Sequence, residues 1–155
     1  MTETPEARLA ALGLTLPMVP VPLAAYMPAV RTGPYVYTAG QLPMVDGKLL
    51  MTGKVGAEVT AAEAAALART AALNALAAVA SVTGSLSAVV RVVKVAGFVA
   101  SDPGFTGQPQ VVNGASELLL EVFGEAGRHA RTAVGTAALP FDSPVEVELI
   151  VEVSD

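Results

Sequence analysis

Val145-Glu146-Val147-Glu148-Leu149-Ile150-Val151-Glu152-Val153 alternates apolar and acidic residues almost without a break, and side chains two apart on an extended chain share a face. Val145, Val147, Leu149, Val151 and Val153 thus form one apolar face, with Glu146, Glu148 and Glu152 on the other. A strand of this pattern lies in a sheet with one face on the core. Upstream, Ala130 to Ala137 forms a second extended run, and Pro140, Asp142, Ser143 and Pro144 between the two predict a hairpin. Val89 to Ala100 is β-branched and nearly continuous in apolar character, which predicts a strand covered on both faces. Arg91 and Lys94 interrupt it at opposite parity and point to opposite faces unless a bulge intervenes.

Helices separate these strands. Thr60-Ala61-Ala62-Glu63 is a capping box opening a long alanine-rich helix that ends near Gly84. The loop-like Ser101 to Gln110 leads into a second helix from about Gln110 to Glu125, stopped by Gly127. Nearer the N-terminus, Tyr35 to Thr38 reads as a strand between Gly33-Pro34 and Gly40, and Asp46-Gly47 as a hairpin into a short strand at Lys48 to Met51. Thr4, Pro5 and Glu6 begin a short helix through Leu12 that Gly13 stops, and an irregular proline-spaced segment runs from Pro17 to Pro28. The order ββ-α-β-α-ββ predicts a single α+β domain over residues 1–155, with two helices covering one face of one sheet.

A chain of 155 residues buries roughly two thirds of its unfolded surface and needs no staple to fold. The absence of cysteine excludes a thiolate nucleophile and a disulfide framework, and one histidine leaves no cluster for a catalytic metal. Nine basic against fourteen acidic residues, a net charge of −5, disfavour nucleic acid as a partner. The charged fraction of 15% falls well below the about 25% of ordinary domains, which predicts a homo-oligomer burying apolar surface between subunits. Membrane insertion does not compete. The uncharged stretch from Leu9 to Val30 holds Pro17, Pro20, Pro22 and Pro28, and Thr70 to Val90 is dominated by small and polar residues with Gly84 near its end. Glu3 and Glu6 replace the basic start of a secretory signal, so the expected compartment is the cytoplasm.

Several residues could carry chemistry. Three carboxylates on one strand face repel one another unless solvated or paired, and Glu148 and Glu152 read as a solvated face. Glu146, nearest the proline-rich turn, is the one placed to face a pocket. Arg131, among small residues, can grip a carboxylate bidentately, either a ligand's or that of a glutamate across the hairpin; on composition alone the salt bridge is favoured. His129 reads as a surface or packing residue. Tyr35 and Tyr37 read as core or interface packing, whereas Tyr26 lies in the irregular segment where function collects. Gly40 is a turn glycine or a point of close ligand approach, and Asn113 a satisfied cap-region amide or a ligand contact.

Taken together these residues resemble the reactive intermediate deaminase (Rid, YjgF-like) family. The matching pieces are Tyr26 with Gly33 seven residues later, Thr38-Ala39-Gly40-Gln41-Leu42-Pro43, the Asn74-bearing helix, Val111-Val112-Asn113, and Ala130-Arg131-Thr132-Ala133-Val134 through Leu139-Pro140 to Val145-Glu146-Val147-Glu148. The resemblance implies a chorismate-mutase-like domain in a homotrimeric barrel with sites in inter-subunit clefts. It implies cofactor-free hydrolysis of reactive 2-imino and 2-enamino acids to 2-oxo acids and ammonia, with a small carboxylate as substrate. Arg131 matches the arginine that holds the substrate carboxylate, and Glu146 the acid that activates water. Tyr26, Gly40, Asn113 and Ala133 match the substrate-binding positions. Ala39, Ala133 and Ser116 depart from the commoner residues, the 101–110 loop is long, and residues 1–25 form an N-terminal extension, so the chain reads as a divergent branch. The alternative reading is a non-catalytic binder of small carboxylates. A ribonuclease or translation inhibitor, a role attached to relatives, is disfavoured by the acidic balance.

Overall fold

The computed structural model describes residues 2–19 and 24–155; Pro20 and Pro22 of the proline-spaced segment lie outside the described residues. Helix α1 spans Pro5–Ala11, strands β1 and β2 Ala29–Thr32 and Tyr35–Thr38, and a small ribbon β3 and β4 Met44–Val45 and Lys48–Leu49. Helix α2 (Ala61–Thr83), β5 (Val89–Ala100), α3 (Gln108–Phe123), β6 (Ala130–Thr136) and β7 (Val145–Val153) follow.

The main sheet has the order β1-β2-β7-β5-β6, with β5 and β6 parallel and the other pairs antiparallel. This corrects the expected terminal hairpin, since β5 lies between β6 and β7. The apolar face of β7 is buried as its alternation requires, and Val36, Val92, Val95 and Val99 join it beneath the helices. The other face of β5 is only half-buried, so this strand alternates rather than being covered on both sides. Two register shifts, between Val89 and Arg91 and between Val92 and Lys94, put Arg91 opposite Glu152 and Lys94 opposite Ile150. Both bases consequently share the face away from the helices, the outcome a bulge allows. Tyr35 and Tyr37 lie on that face too, 39% and 45% exposed, so within one chain they are not core.

The capping box forms as read: Thr60 Oγ1 accepts from the Glu63 amide at 3.1 Å and the Glu63 carboxylate from the Thr60 amide at 2.9 Å. Gly84 ends α2 at φ 82, a left-handed cap that needs no Cβ. Helix α2 is long and apolar enough to cross a membrane, yet half of its most apolar stretch is buried, as Ala64, Leu67, Ala68, Ala71, Ala75, Leu76 and Val79 pack into the core. Its partner α3 crosses it closely: a Cβ on Gly114 would lie 2.7 Å from the Ala65 carbonyl carbon and closer still to its oxygen. Helix α3 begins two residues before the expected start and is capped by Gly124, after which Gly124–Gly127 forms a 3-10 turn. Strand β1 is an element the proline-spaced reading stopped short of, because its four residues alternate too briefly to register.

Helix α1 starts at its Thr4 cap as expected. Glu6 anchors it: its carboxylate accepts from Ser85 Oγ at 2.6 Å, the Leu86 amide at 2.7 Å and Ser87 Oγ at 2.9 Å. Burial raises the Glu6 pKa, but the bonds from Ser85, Ser87 and the Glu6 and Leu86 amides outweigh it and hold it below the usual carboxylate range. Leu9, 2% exposed, seats the helix on the core.

Candidate functional site

Strand β6 runs along the sheet edge parallel to β5, with Arg131 beside Val95 and Ala133 beside Gly97. Val95 and Gly97 face the helices, so Arg131 and Ala133 do as well. Helix α3 meets them there, because Gly97 lets it settle on β5; a Cβ at that position would come within 2.7 Å of Val112 Cγ1. Asn113 and Ser116, one turn apart on α3, consequently present side chains to the same spot. Arg131 Nη1 donates to Asn113 Oδ1 at 2.7 Å and to Ser116 Oγ at 3.2 Å. No carboxylate pairs with Arg131 among the described residues, so the anticipated bridge to a hairpin glutamate is not formed.

Behind the arginine stands a second layer. Ser116 Oγ lies 2.9 Å from His129 Nε2, and His129 Nδ1 lies 2.6 Å from the Gly127 carbonyl oxygen. A carbonyl only accepts, so Nδ1 carries the hydrogen and Nε2 of the neutral ring accepts the serine hydroxyl. Burial lowers the His129 pKa; the Gly127 bond opposes this and the nearby Arg131 charge adds to it.

Glu146 belongs to a different group. It pairs with Phe98 across β7 and β5, on the face away from the helices, so Arg131 and Glu146 stand on opposite faces of the sheet. Gly40 is the residue brought to Glu146. The Gln41 amide donates to the Val147 carbonyl at 2.8 Å, the Gln41 carbonyl accepts from the Val147 amide at 3.0 Å, and Asn74 Nδ2 donates to the Leu42 and Met44 carbonyls at 2.9 and 3.0 Å. These bonds pin the segment after β2 over β7 until the Glu146 carboxylate fills the space a Gly40 Cβ would take. Burial raises the Glu146 pKa, and the Glu148 charge raises it further. Tyr26, 59% exposed, precedes β1 and makes no hydrogen bond to another described residue.

The structure thus gathers Arg131, Asn113 and Ala133 in one place and Glu146 and Gly40 in another. Ser116 and His129 are the residues that sequence reasoning left outside the site. Their signal was present in the one-turn spacing of Asn113 and Ser116 on a predicted helix, but the partner strand decides what that face meets. An open groove of about 290 Å³ between α2 and α3, lined by Ala65, Ala66, Arg69, Gln110, Asn113 and Glu117, borders the arginine cluster. A smaller hollow of about 100 Å³ on the other sheet face is lined by Tyr37, Lys94, Ala96, Glu148 and Ile150. Among the described residues no group of three or more His, Asp or Glu side chains could hold a metal.

A mixed five-stranded sheet with two helices on one face, and an edge-strand arginine backed by the second helix, defines a chorismate-mutase-like α+β domain. Residues 6–153 match the family described as "YjgF/chorismate mutase-like, putative endoribonuclease", and the chain belongs to that family. Protein TCP17 of Trypanosoma cruzi is 46% identical over 96% of this chain and 94% of its own length. The crystal structure of Atu1372 from Agrobacterium tumefaciens, a protein of unknown function, is 48% identical with a TM-score of 0.90, covering 97% of this chain and 92% of that one. A protein of Shewanella oneidensis MR-1 named as a "putative endoribonuclease" is 40% identical with a TM-score of 0.94, covering 97% and 100%. The YjgF gene product of E. coli, at 24% identity and a TM-score of 0.64 over 97% and 98%, shares the fold alone. The contrast fits a divergent branch.

Proposed function

We propose that this chain hydrolyses reactive 2-imino and 2-enamino acids to 2-oxo acids and ammonia, without a cofactor, in clefts between the subunits of a homotrimer. The observation that carries the reading is Arg131. Its Nη1 hydrogens are spent on Asn113 and Ser116, which leaves the Nε–Nη2 edge for the fork-to-fork grip of a substrate carboxylate. Glu146, half-buried with its pKa raised by burial and the Glu148 charge, is a stronger base than an exposed carboxylate, the direction wanted in a group that takes and returns a proton.

The chemistry asks little beyond positioning. An imine carbon beside a carboxylate is already electrophilic; Glu146 removes a proton from water as its oxygen adds to C2. Glu146 passes that proton to the imine nitrogen to give the carbinolamine, then takes the C2 hydroxyl proton as C2–O becomes a carbonyl and hands it to the nitrogen, which leaves as ammonia when the C2–N bond breaks. Holding substrate and water together removes much of the entropic barrier. The opposite placement of Arg131 and Glu146 supports a composite site, with the arginine from one copy and the glutamate, Gly40 and Tyr26 from the next. The exposure of Val30, Tyr37 and Val134 on the open sheet face, 53%, 45% and 42%, supports assembly of that face against further copies. The same reading puts the protein in the cytoplasm, where pyridoxal-phosphate enzymes release such intermediates.

A second reading, a non-catalytic binder of small carboxylates, is favoured by one feature: Arg131, Asn113 and Ser116 form an anion grip on a single chain that does not need Glu146. The endoribonuclease name carried by the family is disfavoured for this chain by its net charge of −5, because phosphate backbones are held by clustered cations. The test is a coupled assay in which an amino-acid oxidase generates imines and 2-oxo acid release is followed. The wild type should accelerate release and Arg131→Ala should abolish the acceleration; full activity in Arg131→Ala would sink the mechanism. Ligand-induced stabilisation by 2-oxo acids without turnover would favour the binder, and salt-sensitive RNA cleavage would revive the nuclease.

A further inference from the structure

We infer that Ser116 and His129 are positioning residues for Arg131: a one-way hydrogen-bond chain from the Gly127 carbonyl through the imidazole and the serine hydroxyl fixes the guanidinium, leaving its Nε–Nη2 edge for a carboxylate. The inference rests on the carboxylate-gripping role proposed for Arg131 and adds the device that aims it.

The direction of the chain is fixed at both ends. Arginine is always protonated and only donates, so Ser116 Oγ accepts from Nη1 and must send its own hydrogen elsewhere. His129 Nε2 receives it at 2.9 Å, since Nδ1 is committed as donor to Gly127 at 2.6 Å. The far anchor is rigid. Gly127 is buried, and a Cβ there would lie 2.7 Å from the Leu119 carbonyl carbon of α3. The circuit therefore leaves α3 at Leu119, passes through Gly127, His129 and Ser116, and returns to the same helix. Burial and the Arg131 charge together outweigh the Gly127 bond and keep the ring neutral, the form in which Nε2 can accept. An arginine held in advance loses less rotamer freedom on binding, so the relay should act on affinity more than on the chemical step.

The oligomeric protein is assayed for imine hydrolysis and, by calorimetry, for binding of 2-oxobutanoate. Ser116→Ala and His129→Phe should each weaken binding and raise KM by about tenfold with kcat little changed, the loss expected for one hydrogen bond to a charged group. Ser116→Thr and His129→Gln, which keep a hydroxyl and an acceptor in place, should return to within about threefold of wild type. In an Arg131→Ala background neither Ser116→Ala nor His129→Phe should have a further effect. Losses that add to Arg131→Ala would show that the pair does not act through Arg131 and overturn the inference. So would unchanged binding in Ser116→Ala and His129→Phe alongside lost binding in Arg131→Ala, an outcome that leaves the carboxylate reading standing. An Arg131→Ala protein that binds like wild type overturns both. Alanine is a good helix former, so Ser116→Ala reads the relay without endangering α3.

Discussion

Replacing Gly40 with alanine separates the site from the fold. The new Cβ would sit 2.8 Å from Glu146 Cδ and 3.1 Å from Cγ, with Oε1 nearer still, whereas ordinary contacts begin near 3.4 Å. The carboxylate must withdraw by about 1 Å, and a misplacement of that size can cost about a hundredfold in rate. Stability should hardly change, because the clash meets the far end of a flexible side chain and Gly40 is not in the left-handed region. The lost freedom of the unfolded chain even favours the variant by about 0.4–1 kcal/mol. Withdrawal also relieves the burial that raises the Glu146 pKa, so the acid limb of the pH–rate profile should move to lower pH. The assay is steady-state imine hydrolysis from pH 4 to 9 beside a thermal melt. An intact fold with turnover within about twofold of wild type would refute the reasoning that Gly40 holds the place of a working carboxylate.

Two further outcomes concern the scaffold. Gly114→Ala gains about 1 kcal/mol of helix propensity but drives a Cβ into the Ala65 carbonyl; overpacking against backbone should win by about 2 kcal/mol net, a fall in Tm of about 4–8 °C. Gly104→Ala, with no heavy atom nearer than 4.0 Å, is the neutral control, and an equal melt for both would show that the helices do not meet as described. Glu6 has a depressed pKa, so its contribution is present above the ordinary carboxylate pKa and is lost as pH falls through the lower folded value. The protection of the α1 amides, taken relative to their intrinsic exchange rates, should therefore fall in acid for wild type, while Glu6→Gln has low protection at neutral pH already; matching protection profiles would refute the anchor.

How far the sequence reaches depends on the range of the interaction. The capping box at Thr60 and Glu63, the left-handed stop at Gly84, the Asp46-Gly47 turn and the alternation of β7 are all decided within a few residues. Each was legible because the backbone need and the side chain that meets it are neighbours in the chain. Strand β1 escaped for the same reason in reverse: four residues beside a proline-rich stretch carry too short a pattern.

The resemblance carried by the Arg131 and Glu146 segments identified the family, yet the distance between those two residues was not in it. Two strands with turn residues between them suggest a hairpin, and only long-range pairing reveals that β5 inserts between β6 and β7. Parity along β5 was equally open until two register shifts turned Arg91 and Lys94 to one face. The sequence by itself determined the two long helices, the longer strands and the apolar face of β7, since local torsions and apolar periodicity are local physics. Tertiary structure alone decided that Arg131 faces α3, where Asn113, Ser116 and His129 wait, and that Glu146 faces away, because a side chain's face follows from the register of strands distant in sequence.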